Sequence, residues 1–470
     1  MSKSVNNELQ QKLQRLLNDL QLEDAPAGGS VVVYQAGEFV AAASIGQAQS
    51  NEQSNEQSNE QSNEQSNDKW QADTLALNFS TGKGVLATLA HVLVSEGMLA
   101  YDEPIASYWP EFAANGKAKI TLRKLMSHQA SLFAISAIDV DNATLLDWPR
   151  MLEKVAAMPI NEIDAADQFV SAYSALVYGW ILGGLIEKAT DMTLAAALGK
   201  YLTEPLGIAG SCYFGVPADQ VDKVAKLAKD FINTASENRS LPTRRHKPVL
   251  KAESEQTLAA YRQLPSYECW QQLADEKKSI SPADKKQHVT SLTATKINRL
   301  YFDHSAINAS NYRAALVPAS KQPIDYYDAQ TLQAVIPAAN GVASAQALAT
   351  IYGMLANGGV WQGKTLIDAE TFAQLSQPQV IGMDAVMPAS MNWRLGYHKL
   401  FSICQSSDDS VTPSTEQGFG HMGYNGSVAW CEPSRQLSFA FIHNFDVTML
   451  NDIRQFALTE AVIKMIDTQD

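Results

Sequence analysis

Cysteine is scarce in this chain, basic charge is in deficit, and no apolar stretch is long enough to span a bilayer. The four cysteines, Cys212, Cys269, Cys404 and Cys431, lie far apart among 470 residues and show no C-x-x-C or Cys/His ligand spacing. That pattern excludes a metal site readable from sequence, and it reads as reduced, buried thiols of a cytoplasmic protein. A net charge of −14 leaves no basic stripe to neutralise phosphates, so nucleic acid is excluded as a partner. The Arg244-Arg245-His246-Lys247 cluster is the local exception and reads as a charged surface loop. No G-x-S-x-G elbow is present, which argues against an α/β-hydrolase. A phosphate loop fails as well, because Leu77 and Gly84 stand where that motif needs glycine and Ser or Thr.

What remains is a chain with 46% hydrophobic and 18% charged residues, enough to bury a large core. Leu9, Leu13, Leu16, Leu17 and Leu20 recur at helical spacing among polar residues, predicting an amphipathic helix rather than a signal peptide or membrane span. Val31–Tyr34 and Phe39–Ala42, separated by Ala36-Gly37, predict a hairpin. A tandem Gln-Ser-Asn-Glu repeat over 49–67 has no apolar residue to offset ordering entropy and reads as a disordered insert.

A strongly apolar helical run over Val85–Leu99 is opened by Asn78-Phe79-Ser80-Thr81-Gly82-Lys83. Serine and lysine three residues apart at a helix start share one face, which brings hydroxyl and amine within reach. The helix N-terminus adds N–H groups and positive partial charge for an oxyanion. A capping serine followed by a surface lysine has the same spacing, so the rest of the chain must decide. Farther on, Leu176–Ala189 is a helix whose Gly179, Gly183 and Gly184 imply close packing on a neighbour. Residues 232–334 are punctuated by proline and predict a helical excursion bordering a cleft. A helix after Ile336–Gly341, strands around Gly426–Trp430 and Leu437–Ile442, and a last helix from about Leu450 to Ile466 complete the chain. Strands therefore sit at both ends with helices between.

The order of motifs resembles the serine β-lactamase and penicillin-binding-protein superfamily, and within it the β-lactamase-like family VIII carboxylesterases. Ser80-Thr81-Gly82-Lys83 matches S-x-x-K, Tyr173-Ser174-Ala175 occupies the Y-x-N position, and His421-Met422-Gly423 the K-T-G position. Tyr108–Phe112, His128–Leu132 and Ile336–Gly341 look like the esterase branch. The resemblance implies an α/β (α+β) fold: one antiparallel sheet built from both chain ends and flanked by helices, with a mostly helical subdomain. In residue numbers, 1–470 is one unit, 5–79 with 335–470 forms the α/β part, and 80–334 the helical part.

It further implies Ser80 as nucleophile, Lys83 and Tyr173 as the groups that move its proton, and the N–H groups of Ser80 and Tyr424 as oxyanion hole. A Lys83 cation would favour the Tyr173 phenolate. His421 and Gly423 would line the substrate site, with Trp393 and Arg394 in the cleft wall. Ala175 lacks the carboxamide of the motif and His421 lacks the lysine's charge, which points to uncharged esters over β-lactams. The implied activity is cleavage of a small-molecule carboxylic ester without cofactor or metal. A β-lactamase or D,D-peptidase, and a non-catalytic binding protein of the same fold, are the alternatives.

Overall fold

The computed structural model describes residues 6–21, 27–49, 69–227, 255–279, 292–404 and 414–468. The 49–67 repeat, apart from Gln49, and the Arg244–Lys247 cluster lie outside them.

Helix α1 (Asn7–Asp19) starts where the Asn6 side chain accepts the Leu9 N–H, and it buries Leu9, Leu13, Leu16 and Leu17 along one face. Strands β1 (Gly29–Gln35) and β2 (Glu38–Ile45) follow, joined by Ala36 and Gly37 at φ +53° and +77°. Positive φ at both turn residues matches the twist of a tight hairpin. β1 then pairs antiparallel with the strand contributed by the other end of the chain, β9 (Leu437–His443), with Val32 opposite Ala440. Adding β6 (His398–Lys399), β7 (Phe419–Met422) and β8 (Val428–Glu432) gives a six-stranded sheet ordered β2-β1-β9-β8-β7-β6.

Alternation along β1 divides the core. Val32 packs with helices α2 (Gly82–Ser95) and α4 (Ala345–Ala356), whereas Val31 and Val33 pack with α1 and α5 (Arg454–Asp467). The sheet is thus covered by helices on both faces, which is why β1 is apolar at successive positions rather than alternate ones. A second, three-stranded sheet sets β5 (Gly341–Ala343) between β3 (Ala76–Phe79) and β4 (Cys212–Tyr213).

Helix α2 begins at Gly82 and stops at Ser95, short of the expected Leu99. Gly97, at φ +70°, donates to Val94 O while Met98 donates to Leu93 O, a glycine-closed C-terminus. Helix α3 (Val177–Thr190) carries the predicted glycines. A Cβ on Gly179 would lie 2.4 Å from Ala338 N, so the absence of a side chain lets the 336–340 segment lie directly on α3.

The cysteine reading needs correction. Cys269 and Cys404, 135 residues apart, are joined as a disulfide with Cα atoms 5.7 Å apart, while Cys212 and Cys431 are buried free thiols. Spacing along the chain carries no trace of that proximity, which tertiary folding creates. The bond removes the reduced-thiol support for a cytoplasmic location. Among the described residues no helix is long and apolar enough to cross a membrane.

Candidate active site

The turn from β3 into α2 builds the site. Phe79 is held at φ +50°, an unusual conformation for a non-glycine residue, and its ring is wedged edge-on against Tyr326 and Tyr327 and tilted against Tyr424. Thr81 N–H closes the turn on Asn78 O, and Thr81 Oγ1 donates to Ser427 O, 2.9 Å away. The sheet edge reaches this turn at Gly423, where a Cβ would fall 2.4 Å from Asn78 O. Gly423 is therefore obligatory for contact between β7 and the Ser80 turn. Beyond it, the Ser80 and Tyr424 N–H groups have no hydrogen-bond acceptor among the described residues.

Lys83, in the first turn of α2, is completely buried. Its Nζ lies 2.7 Å from each of three oxygens: Ser80 Oγ, Ala175 O and Ala338 O. Burial holds its pKa well below the ordinary lysine value. Nζ donates to all three, and Ser80 Oγ in turn donates to Ala338 O at 3.2 Å. Gly179 matters here because it seats the Ala338 segment.

Tyr173 comes from the irregular strand before α3. It lines the same pocket as Ser80, whose side chain lies close enough to lower the phenol pKa, and Lys83 Nζ is 5.0 Å from its ring centre. Burial raises the phenol pKa above 10, against the smaller lowering by Ser80. Exclusion of water therefore opposes the expected pairing of a Tyr173 phenolate with a Lys83 cation, since it disfavours the charged form of both groups.

His421, on β7, is buried; its Nδ1–H donates to Met422 O at 3.0 Å, and its Nε2 has no partner among the described residues. Burial, with the nearby His398 and Lys83, pushes its pKa well below 6.5. His398 sits behind it, donating from Nδ1 to Lys399 O and accepting the Met422 N–H at Nε2, with its pKa pushed down to about 4 by burial. Where the resemblance implies a cation, this chain presents a neutral acceptor.

These groups open on a pocket walled by Tyr312, Leu316, Met387, Met391, Trp393 and Met449. Among the described residues that line it there is no lysine or arginine. Tyr312 and Leu316 belong to the 232–334 stretch expected to border a cleft. Trp393 lines the cavity as expected, but Arg394 does not. Its guanidinium donates to Ser376 O and Glu416 O and faces a separate groove.

Two residues of the site escaped sequence reading. His128, at φ +55°, accepts the Ser174 N–H at Nδ1, and its ring sits 5.0 Å from that of Tyr173. Asp384 accepts the Tyr173 N–H and the Trp393 indole N–H. The only sequence signal for Asp384 is a lone acid ahead of the apolar Ala385-Val386-Met387.

A serine–lysine helix start set against the edge of an antiparallel sheet defines the class of protein, and comparison with known proteins gives the family. The model of the Beta-lactamase family matches residues 13–462, and this chain belongs to that family. It is 30% identical over 377 residues to Esterase/beta-lactamase LipL of Mycobacterium tuberculosis, covering 80% of this chain and 70% of that one. Among solved structures it resembles a penicillin-binding protein homologue from Caulobacter crescentus, 25% identical, with a TM-score of 0.68 over 98% of this chain and 99% of that one. A family VIII carboxylesterase shares the fold at a TM-score of 0.63 and 24% identity, covering 98% of this chain and 99% of that one.

Proposed function

We propose that this protein is a serine hydrolase that cleaves small carboxylic esters through an acyl-enzyme on Ser80. The observation that carries the reading is Lys83 Nζ at 2.7 Å from Ser80 Oγ, with the Tyr173 phenol beside the same serine in one pocket. As Oγ bonds to the ester carbonyl carbon, its proton passes to the neutral Lys83 amine. The carbonyl electron pair moves onto oxygen, which the Ser80 and Tyr424 N–H groups stabilise. Collapse expels the alcohol, and Tyr173 delivers its proton, recovering one from Lys83. Water attacks the acyl-enzyme through the same steps in reverse order.

Selectivity follows from the walls. A substrate carboxylate entering this cavity would meet the unpartnered lone pair of His421 Nε2 and apolar side chains, with no cation to offset its lost hydration. Uncharged esters carry no such penalty. Esterase is part of the LipL name, and the family VIII fold is compatible with the same chemistry. No nucleic-acid, membrane or cofactor partner enters the proposal.

Hydrolysis of p-nitrophenyl butyrate by wild type and by Ser80→Ala tests it, with a chromogenic cephalosporin as the competing substrate. Ester turnover lost in Ser80→Ala and exceeding cephalosporin turnover in wild type is the expected result. Equal ester rates in the two proteins would remove Ser80 from the chemistry, and a faster cephalosporin rate would make the protein a β-lactamase.

A further inference from the structure

We propose that Asp384 is a positioning residue for the reaction, holding the Tyr173 phenol on Ser80 by gripping both the Tyr173 main chain and the ring stacked behind it. This inference rests on the ester-cleaving reading above.

Asp384 is 1% exposed and sits in the loop before β6. Its Oδ1 accepts three main-chain N–H groups, from Tyr173 at 3.1 Å, Val386 at 2.8 Å and Met387 at 2.9 Å. Its Oδ2 accepts the Ser171 hydroxyl at 2.7 Å and the Trp393 indole N–H at 3.0 Å. No ion pair to Asp384 is found among the described residues, so these donors take the place of a cation in holding a buried carboxylate.

The donors come from two segments far apart in sequence. Ala385 N–H also bonds Ser171 O, and Val170 N–H bonds Met383 O, so 170–171 and 383–385 run together as a short ladder with Asp384 at its centre. Trp393 lies parallel to Tyr173, ring centres 5.5 Å apart and planes within 10°. Fixing the indole N–H fixes the plane of that ring, and with it one wall of the Tyr173 slot; His128 forms another, its ring 4.3 Å from Trp393. The phenol itself interacts with Ser80. Its direction therefore depends on the main-chain anchor and on Trp393, both of which end on one carboxylate. Misplacing a reacting group by about 1 Å can cost on the order of 10²-fold in rate.

The test is a double-mutant cycle on kcat for p-nitrophenyl butyrate, with Ser80→Ala as control. Asp384→Asn keeps an oxygen for the three N–H groups but turns an N–H donor toward the Trp393 N–H, opposing two donors. The expected result is a kcat loss on the order of 10²-fold with KM unchanged, shrinking to a few-fold when Tyr173→Phe is already present. Equal losses with and without Tyr173→Phe, or no loss, overturn the proposal. Should thermal unfolding show Asp384→Asn to be unfolded, Ser171→Ala takes its place in the cycle, since it removes one donor to Oδ2 and leaves the carboxylate. A loss confined to the Tyr173 enzyme supports the inference, and a loss equal in both backgrounds, or none, overturns it. Wild-type hydrolysis that persists in Ser80→Ala instead overturns the functional reading beneath it.

Discussion

Lys83 and Lys117 are both buried to 0% exposure, and each places its Nζ among main-chain carbonyls. Lys117 bonds Ala114 O and Met158 O, tying the loop around Asn115 and Gly116 to the end of the helix Trp148–Ala157, with Nζ 5.3 Å from the Phe112 ring centre. Lys83 bonds Ala175 O and Ala338 O in the same manner, and then a third oxygen, Ser80 Oγ, at the floor of a cavity. Burial lowers the pKa of both. Desolvation alone therefore does not distinguish a reactive amine from a structural one. The distinction lies in the hydroxyl partner and in an opening through which a substrate can reach it.

Exchanging the lysines one at a time is the strongest way to break this comparison. Lys83→Ala should lower kcat/KM for p-nitrophenyl butyrate on the order of 10³-fold, within the range for a lost general base. Tyr173→Phe should slow both formation and breakdown of the acyl-enzyme on the order of 10²-fold, read by stopped-flow burst and steady-state rates. An unchanged rate would leave Lys83 as the only proton carrier.

The pH profile sharpens the contrast. The proposed mechanism needs the Lys83 amine unprotonated, so kcat/KM is expected to fall as pH drops through its lowered pKa. Because the pKa is held below the lysine reference near 10.4, that limb lies on the acid side of it. His421→Gln should leave the limb in place, since burial already keeps His421 neutral well below 6.5. A limb that vanishes in His421→Gln would transfer the titration to the histidine.

His421→Lys restores a cation to the cavity wall. It should raise turnover of a chromogenic cephalosporin about 10-fold relative to the ester, in line with a charge-assisted contact of 1.5–3 kcal/mol. The smallest effect on turnover belongs to Lys117→Ala, which should leave ester hydrolysis at the wild-type level. Its cost appears in urea unfolding, as about 1–3 kcal/mol for the carbonyls left without a donor. Loss of turnover comparable to that of Lys83→Ala would erase the difference between the two sites.

Much of the floor of the site was legible in the sequence because chemistry fixes its local spacing. Ser80 and Lys83 must share one helical turn, and β1 and β2 announce themselves by apolar runs around Ala36-Gly37. The strands at both chain ends were readable for the same reason, as short apolar runs bounded by turns need no distant partner to be recognised. The other wall was not. Asp384 meets Tyr173 across 211 positions, in a loop with no periodic pattern. Cys269 and Cys404 are joined across 135. The pull of burial on Lys83 and Tyr173, toward their neutral forms, was not legible because it depends on the exclusion of water, which motif spacing does not encode.

The most direct measurement is mass spectrometry of the intact protein and its peptides after acid quench during turnover of p-nitrophenyl butyrate. A butyryl group on the peptide carrying Ser80, absent from Ser80→Ala and persisting longer in Tyr173→Phe, is the predicted result. Turnover with the acyl group on another residue, or undiminished turnover in Ser80→Ala, would contradict it.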